Sequence, residues 1–94
     1  ERKIEMDLQI SVRTSADALT NFASFMRSEI AKHNAIINSS VFVSDAGKQF
    51  HTIHIECFIS VDTDFDIFQQ LREILNLKAV EYANAHQINF SEKG

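Results

Sequence analysis

Residues 4–12 alternate without a break. Ile4, Met6, Leu8, Ile10 and Val12 are apolar, and Glu5, Asp7, Gln9, Ser11 and Arg13 share the other parity. A period of two over this length predicts a strand with one buried and one wet face. After Thr14 the period changes. Leu19, Phe22, Ala23, Met26 and Ile30 recur at spacings of three and four. This predicts a helix over residues 16–33, with Phe25 widening its apolar stripe. Thr14 or Ser15 is placed to cap it, its side-chain oxygen accepting from a free N–H of the first turn. Asp17 stands near the positive end of the helix dipole, and Lys32 and His33 near the negative end.

Residues 34–40 read as a connector, with Ile36 and Ile37 expected to tuck under the domain edge. Val41, Phe42 and Val43 form the heart of a second strand. Asp45, Ala46, Gly47 and Lys48 read as a turn in which Gly47 is expected to supply a positive φ. A third strand is predicted over 50–61. Ile53, Ile55, Cys57, Ile59 and Val61 share one parity, and Thr52, His54, Glu56, Phe58 and Ser60 the other, so the second and third strands make a hairpin. Asp62, Thr63 and Asp64 are expected to end it and cap a helix over 64–85. Its central stripe is Phe68, Leu71, Leu75 and Tyr82, flanked by Ile67, Ile74 and Ala79, with Leu77 and Val80 off the stripe. A short last strand, 87–90, places Ile88 and Phe90 on one face.

The order β-α-β-β-α-β predicts an α+β fold, a ferredoxin-like sandwich with two helices on one face of an antiparallel sheet. The 94 residues suit one domain, with 1–3 as lead-in and 91–94 as a polar tail. The charged opening Glu1, Arg2 and Lys3, without a Met, is expected of a fragment of something longer.

Composition narrows the function classes. Nine basic against thirteen acidic residues give a net charge of −4, which argues against a nucleic-acid partner and against an anionic membrane surface. The single cysteine, Cys57, excludes an internal disulfide and a Cys-only zinc site. No apolar run approaches the roughly 18–20 residues needed to span a bilayer.

The sequence carries no constellation for catalytic or metal chemistry. His51 and His54, three apart on a strand, point to opposite faces, and His33 and His86 lie at predicted helix ends. Cys57 carries the buried parity, where a thiol is inert. Asp62, Asp64, Asp66 and Glu73 mimic a calcium-loop spacing, but Ile67 stands where the loop needs glycine. Strand one would turn Glu5 and Asp7 toward an RNA, repelling phosphate. No catalytic residue, cofactor or metal site is expected. The unusual feature is the open sheet face, where Phe42 and Phe58 project with Thr52, His54 and Ser60 around them, a composition that marks a contact surface.

The chain resembles the C-terminal cytoplasmic α/β subdomain of bacterial small-conductance mechanosensitive channels. Arg2, Lys3, Ile4 and Glu5 are similar to that family's basic lead-in. Ser11, Val12, Arg13 and Thr14 with the helix to His33 resemble its strand, cap and helix. Val41, Phe42 and Val43, then Gly47, then Ile53, His54 and Ile55 resemble its hairpin. Phe68, Leu71, Leu75, Asn76 and Leu77 resemble its second helix, and Ile88, Asn89 and Phe90 its final strand. The chain departs from the family at Asn34 and Ser91, where prolines are usual, and in lacking a glycine before the last strand. The resemblance implies a homo-oligomer, typically a heptamer. Its upstream helices, missing here, would sit in the bacterial inner membrane, and this segment would line a cytoplasmic vestibule used in osmotic shock. It also implies subunit-contact roles for Phe42, His54, Phe58, Ile88 and Phe90. The rival reading is a ferredoxin-like regulatory domain binding a small ligand. Such modules place a Gly-rich turn after strand one, where this chain has Arg13, Thr14 and Ser15.

Overall fold

Strand β1 spans Arg2–Ser11, and its burial alternates as its sequence does, with Ile4, Met6, Leu8 and Ile10 in the core. The structure is a computed structural model that describes residues 2–91. Glu1 of the expected lead-in and residues 92–94 of the expected tail lie outside the described residues. Arg2 and Lys3 already belong to the strand, because they pair with Ile59 and Phe58 of β3. Val12 falls past the strand's end and is exposed, where the Thr14 N–H donates to the Ser11 carbonyl at 3.0 Å.

Helix α1 covers Ala16–Ile30. Ser15 caps it from an extended backbone, and its Oγ accepts from the Ala18 N–H at 3.1 Å. This satisfies one of the free donors of the first turn. Leu19, Phe22, Ala23, Met26 and Ile30 are buried on the expected face. The helix stops at Ile30 rather than His33. The Lys32 and His33 N–H groups donate back to the Glu29 and Ile30 carbonyls in a closing turn.

Strand β2, Ile36–Ala46, replaces most of the connector expected over 34–40. Register shifts at Ile36/Asn38 and Val43/Asp45 insert an extra residue at Ile37 and at Ser44. The shift at Ile37 breaks the period of two, and Asn38, Ser39 and Ser40 are polar on both faces, which is why alternation did not reveal the first half of this strand. Ile36 packs against the core, but Ile37 is 63% exposed rather than tucked under the edge. Gly47, in the turn to β3 (Phe50–Ile59), has no positive φ. Its N–H donates to the Phe50 carbonyl at 3.0 Å, and a Cβ at Gly47 would meet that oxygen at 2.8 Å. Close backbone approach selects glycine here, not handedness.

The sheet order is β1-β3-β2, antiparallel throughout. Central β3 contributes Ile53, Ile55, Cys57 and Ile59, all fully buried. Helix α2, Phe65–Ala85, starts at Asp64, whose side chain makes no capping bond, contrary to expectation. Its start is fastened by Arg2 instead. The guanidinium donates to the Thr63 carbonyl at 2.7 Å and lies 5.6 and 5.7 Å from the Phe65 and Phe68 rings. Leu71, Leu75, Ala79 and Ala83 are buried, whereas Ile67 and Ile74, expected beside the stripe, are exposed. The helix is rolled so that Ala79 and Ala83 turn inward, which carries the opposite flank out to solvent. Between the helices the Tyr82 ring stacks on Phe25 at 4.5 Å and on His86 at 3.9 Å, and lies 4.8 Å from Phe22.

α2 ends in a left-handed residue. Gln87 has φ 54°, the Ile88 N–H donates to the Ala83 carbonyl at 2.8 Å, and the Gln87 N–H to that of Asn84 at 3.5 Å. This is a Schellman closure. It consumes Gln87 and Ile88, so the strand expected over 87–90 shrinks to a single bridge between Ile10 and Phe90. Two bonds flank the bridge. The Ser11 N–H donates to the Asn89 carbonyl at 2.9 Å, and the Ser91 N–H to the Gln9 carbonyl at 2.8 Å. Two helices on a three-stranded antiparallel sheet make an α+β fold, consistent with the ferredoxin-like reading. No helix among the described residues is long and apolar enough to cross a membrane.

Candidate functional site

The face of the sheet away from the helices is built from three cross-strand rows. Asp7, His54 and Phe42 form one, Glu5, Glu56 and Ser40 the next, and Lys3, Phe58 and Asn38 the third. Side chains directly opposed on one face of an antiparallel pair sit about 4.5–5.5 Å apart at Cβ, so register alone forces these groups together. His54 Nδ1 lies 2.6 Å from Asp7 Oδ1. Its Nε2 lies 3.3 Å from Glu56 Oε2 and 3.6 Å from Glu5 Oε2. Lys3 Nζ stands 3.7 Å from Glu5 and 3.9 Å from Glu56. The Phe42 ring is 5.6 Å from the imidazole, and Lys3 Nζ is 5.9 Å from the Phe58 ring. The His54 side chain is 18% exposed beneath this ring of groups.

The charges act on one another. Hydrogen bonds to Asp7 and then Glu56 raise the pKa of His54 above its ordinary 6.5, against a smaller opposing effect of burial. The bond to His54 lowers Glu56 below its ordinary 4.5. On the other side of the sheet, burial pushes the Cys57 thiol up to about 11, which keeps it protonated and unreactive at neutral pH.

Of the contact candidates, Phe42, His54 and Phe58 share this open face. Ile88 does not; it is buried in the core. Phe90 packs against the core and bridges Ile10. His51 opposes Ile10 and Ala46, away from His54, and its Nδ1 is buried without a hydrogen-bond partner. Of the acids that mimic a calcium loop, Asp66 and Glu73 stand two turns apart on α2. Among the described residues, Glu5, His54 and Glu56 form the group of three potential metal ligands, with donor atoms all within 4.8 Å of one another. Sequence reasoning placed these residues on the wet face but not beside each other. The signal that finds them is the β1–β3 register, which pairs Glu5 with Glu56 and Asp7 with His54.

No family model and no curated protein matches this chain. Its fold does match solved structures, namely cryo-EM structures of Arabidopsis thaliana MSL1 and of a single-substitution variant of it. Both give a TM-score of 0.80 at 13% sequence identity. The match covers 98% of this chain but 34% of the MSL1 chain and 35% of the variant, so this chain spans about a third of their length. MSL1 is a mechanosensitive channel, and the likeness, one of fold, is consistent with resemblance to the C-terminal domain of the small-conductance channel family.

Proposed function

We propose that this chain is a non-catalytic cytoplasmic domain of a mechanosensitive ion channel, helping to assemble a homo-oligomeric vestibule that serves the osmotic-shock response. The observation that carries this reading is the likeness in fold to channel chains over nearly the whole of the present one. The open face supports it. Phe42 is 46% exposed, and a large aromatic on a wet face fits a neighbouring subunit. Phe58 and His54 extend that surface, and the proposal assigns both to subunit contact. Ile88 and Phe90 would act less directly, by holding the chain end against β1. The acidic groups Glu5, Asp7 and Glu56 on the same face fit poorly with a nucleic-acid partner. The heptamer, and membrane attachment through upstream helices, belong to this proposal.

The test is to isolate the full-length protein and apply suction to patches of liposomes containing it. A tension-gated current that disappears when the 94-residue segment is deleted, with loss of the oligomer by native mass, supports the proposal. A full-length sequence lacking apolar spans of about 20 residues overturns it and moves the reading to a ligand-binding regulatory domain.

A further inference from the structure

Glu5 and Glu56 oppose each other directly across β1 and β3. Like charges in that position destabilise a sheet unless a cation lies between them. Beside them stands a histidine with one nitrogen already engaged. Asp7 Oδ1, 2.6 Å from Nδ1, holds a proton on that atom and leaves Nε2 directed at both glutamates. A carboxylate on the far nitrogen is the usual device for fixing the tautomer and ring of a metal-ligating histidine. The separations also fit. Ligand atoms around a tetrahedral ion with bonds of about 2.0–2.1 Å sit about 3.4 Å apart. Nε2 lies 3.3 and 3.6 Å from the two glutamate oxygens. The whole set is within 4.8 Å, so small rotations of two surface side chains complete it.

We propose that the open sheet face binds a zinc-class dication through His54 Nε2 and one carboxylate oxygen each from Glu5 and Glu56, with Asp7 as positioning residue. An imidazole in the set favours such an ion over magnesium or calcium, which take oxygen ligands. Lys3 Nζ, 3.7 Å from Glu5 and 3.9 Å from Glu56, is the cation that competes for the same two carboxylates. Loading displaces this ammonium and, from the imidazolium form, releases the Nε2 proton to solvent. Three protein ligands leave a fourth position for water. The site needs β1 paired with β3 and nothing more, so it stands independently of the channel reading.

The test is a titration of the untagged 94-residue chain with zinc chloride, read by calorimetry and by imidazole nitrogen NMR. One saturable site is expected, with the His54 Nε2 resonance moving. Asp7→Asn should weaken it about ten- to hundredfold, His54→Gln should abolish it, and Lys3→Ala should tighten it by removing a competing cation. Magnesium or calcium chloride at the same concentration should leave the His54 resonance in place. Absence of saturation overturns the proposal, as does saturation in which His33, His51 or His86 moves and His54 does not. The native chain's own resonance decides the matter even if a variant misfolds.

Discussion

Gln87 holds a left-handed conformation that glycine adopts without strain and that costs a side-chain-bearing residue about 1–2 kcal/mol. Gln87→Gly is therefore expected to stabilise the chain by about 1 kcal/mol, and to raise Tm by about 4–8 °C. A scan showing no rise would mean that the glutamine side chain makes a compensating contact. The second residue-scale prediction concerns His54. Its pKa is raised on folding, so its stabilising contribution is complete below 6.5 and disappears as pH climbs through the raised value. Glu56 is lowered, so its contribution is present above 4.5 and lost as pH falls through the lowered value. Urea midpoints measured across pH should fall on the alkaline side of 6.5, and His54→Gln should remove that fall.

At the scale of elements, helix α2 separates two leucines of the same sequence run. Leu75 is fully buried against the sheet and Leu77 is 61% exposed. Leu75→Ala should cost about 2–5 kcal/mol through lost burial and a residual cavity, whereas Leu77→Ala should stay within about 0.5 kcal/mol. Denaturant unfolding of the two variants checks the contrast. Periodicity placed both leucines correctly, as it did β1, the core face of α1 and the inward parity of β3. It failed where the backbone departs from its period. The bulge at Ile37 and the polar run Asn38, Ser39 and Ser40 concealed the first half of β2, and the roll of α2 toward Ala79 and Ala83 put Ile67 and Ile74 in solvent. The candidate site was half legible for the same reason. Parity assigns Glu5, Asp7, His54 and Glu56 to the wet face, but their mutual contacts depend on the pairing register of strands far apart in sequence, which local patterning does not specify.

For the whole molecule, the large apolar groups on the open face are the exposed Phe42 and the half-buried Phe58, too few to make the roughly 800 Å² per partner of a stable interface. Sedimentation of the chain alone at micromolar concentration should show a monomer or a weak self-association. A tight heptamer would show that this segment by itself drives assembly.

The contact between Asp7 and His54 joins residues 47 positions apart. The Phe42–His54 ring contact, by comparison, closes across a short hairpin. Closing the longer loop costs more chain entropy, and long-range pairings slow folding. The contact of Phe42 with His54 therefore closes at lower entropic cost than those of Asp7 and Glu5 with His54. Before β1 docks, His54 has Phe42 and Glu56 of its own hairpin beside it but neither Asp7 nor Glu5. Docking of β1 adds Glu5 and Asp7 to the Glu56 already on the hairpin, so most of the acidic charge of this face depends on the longest-range pairing in the sheet.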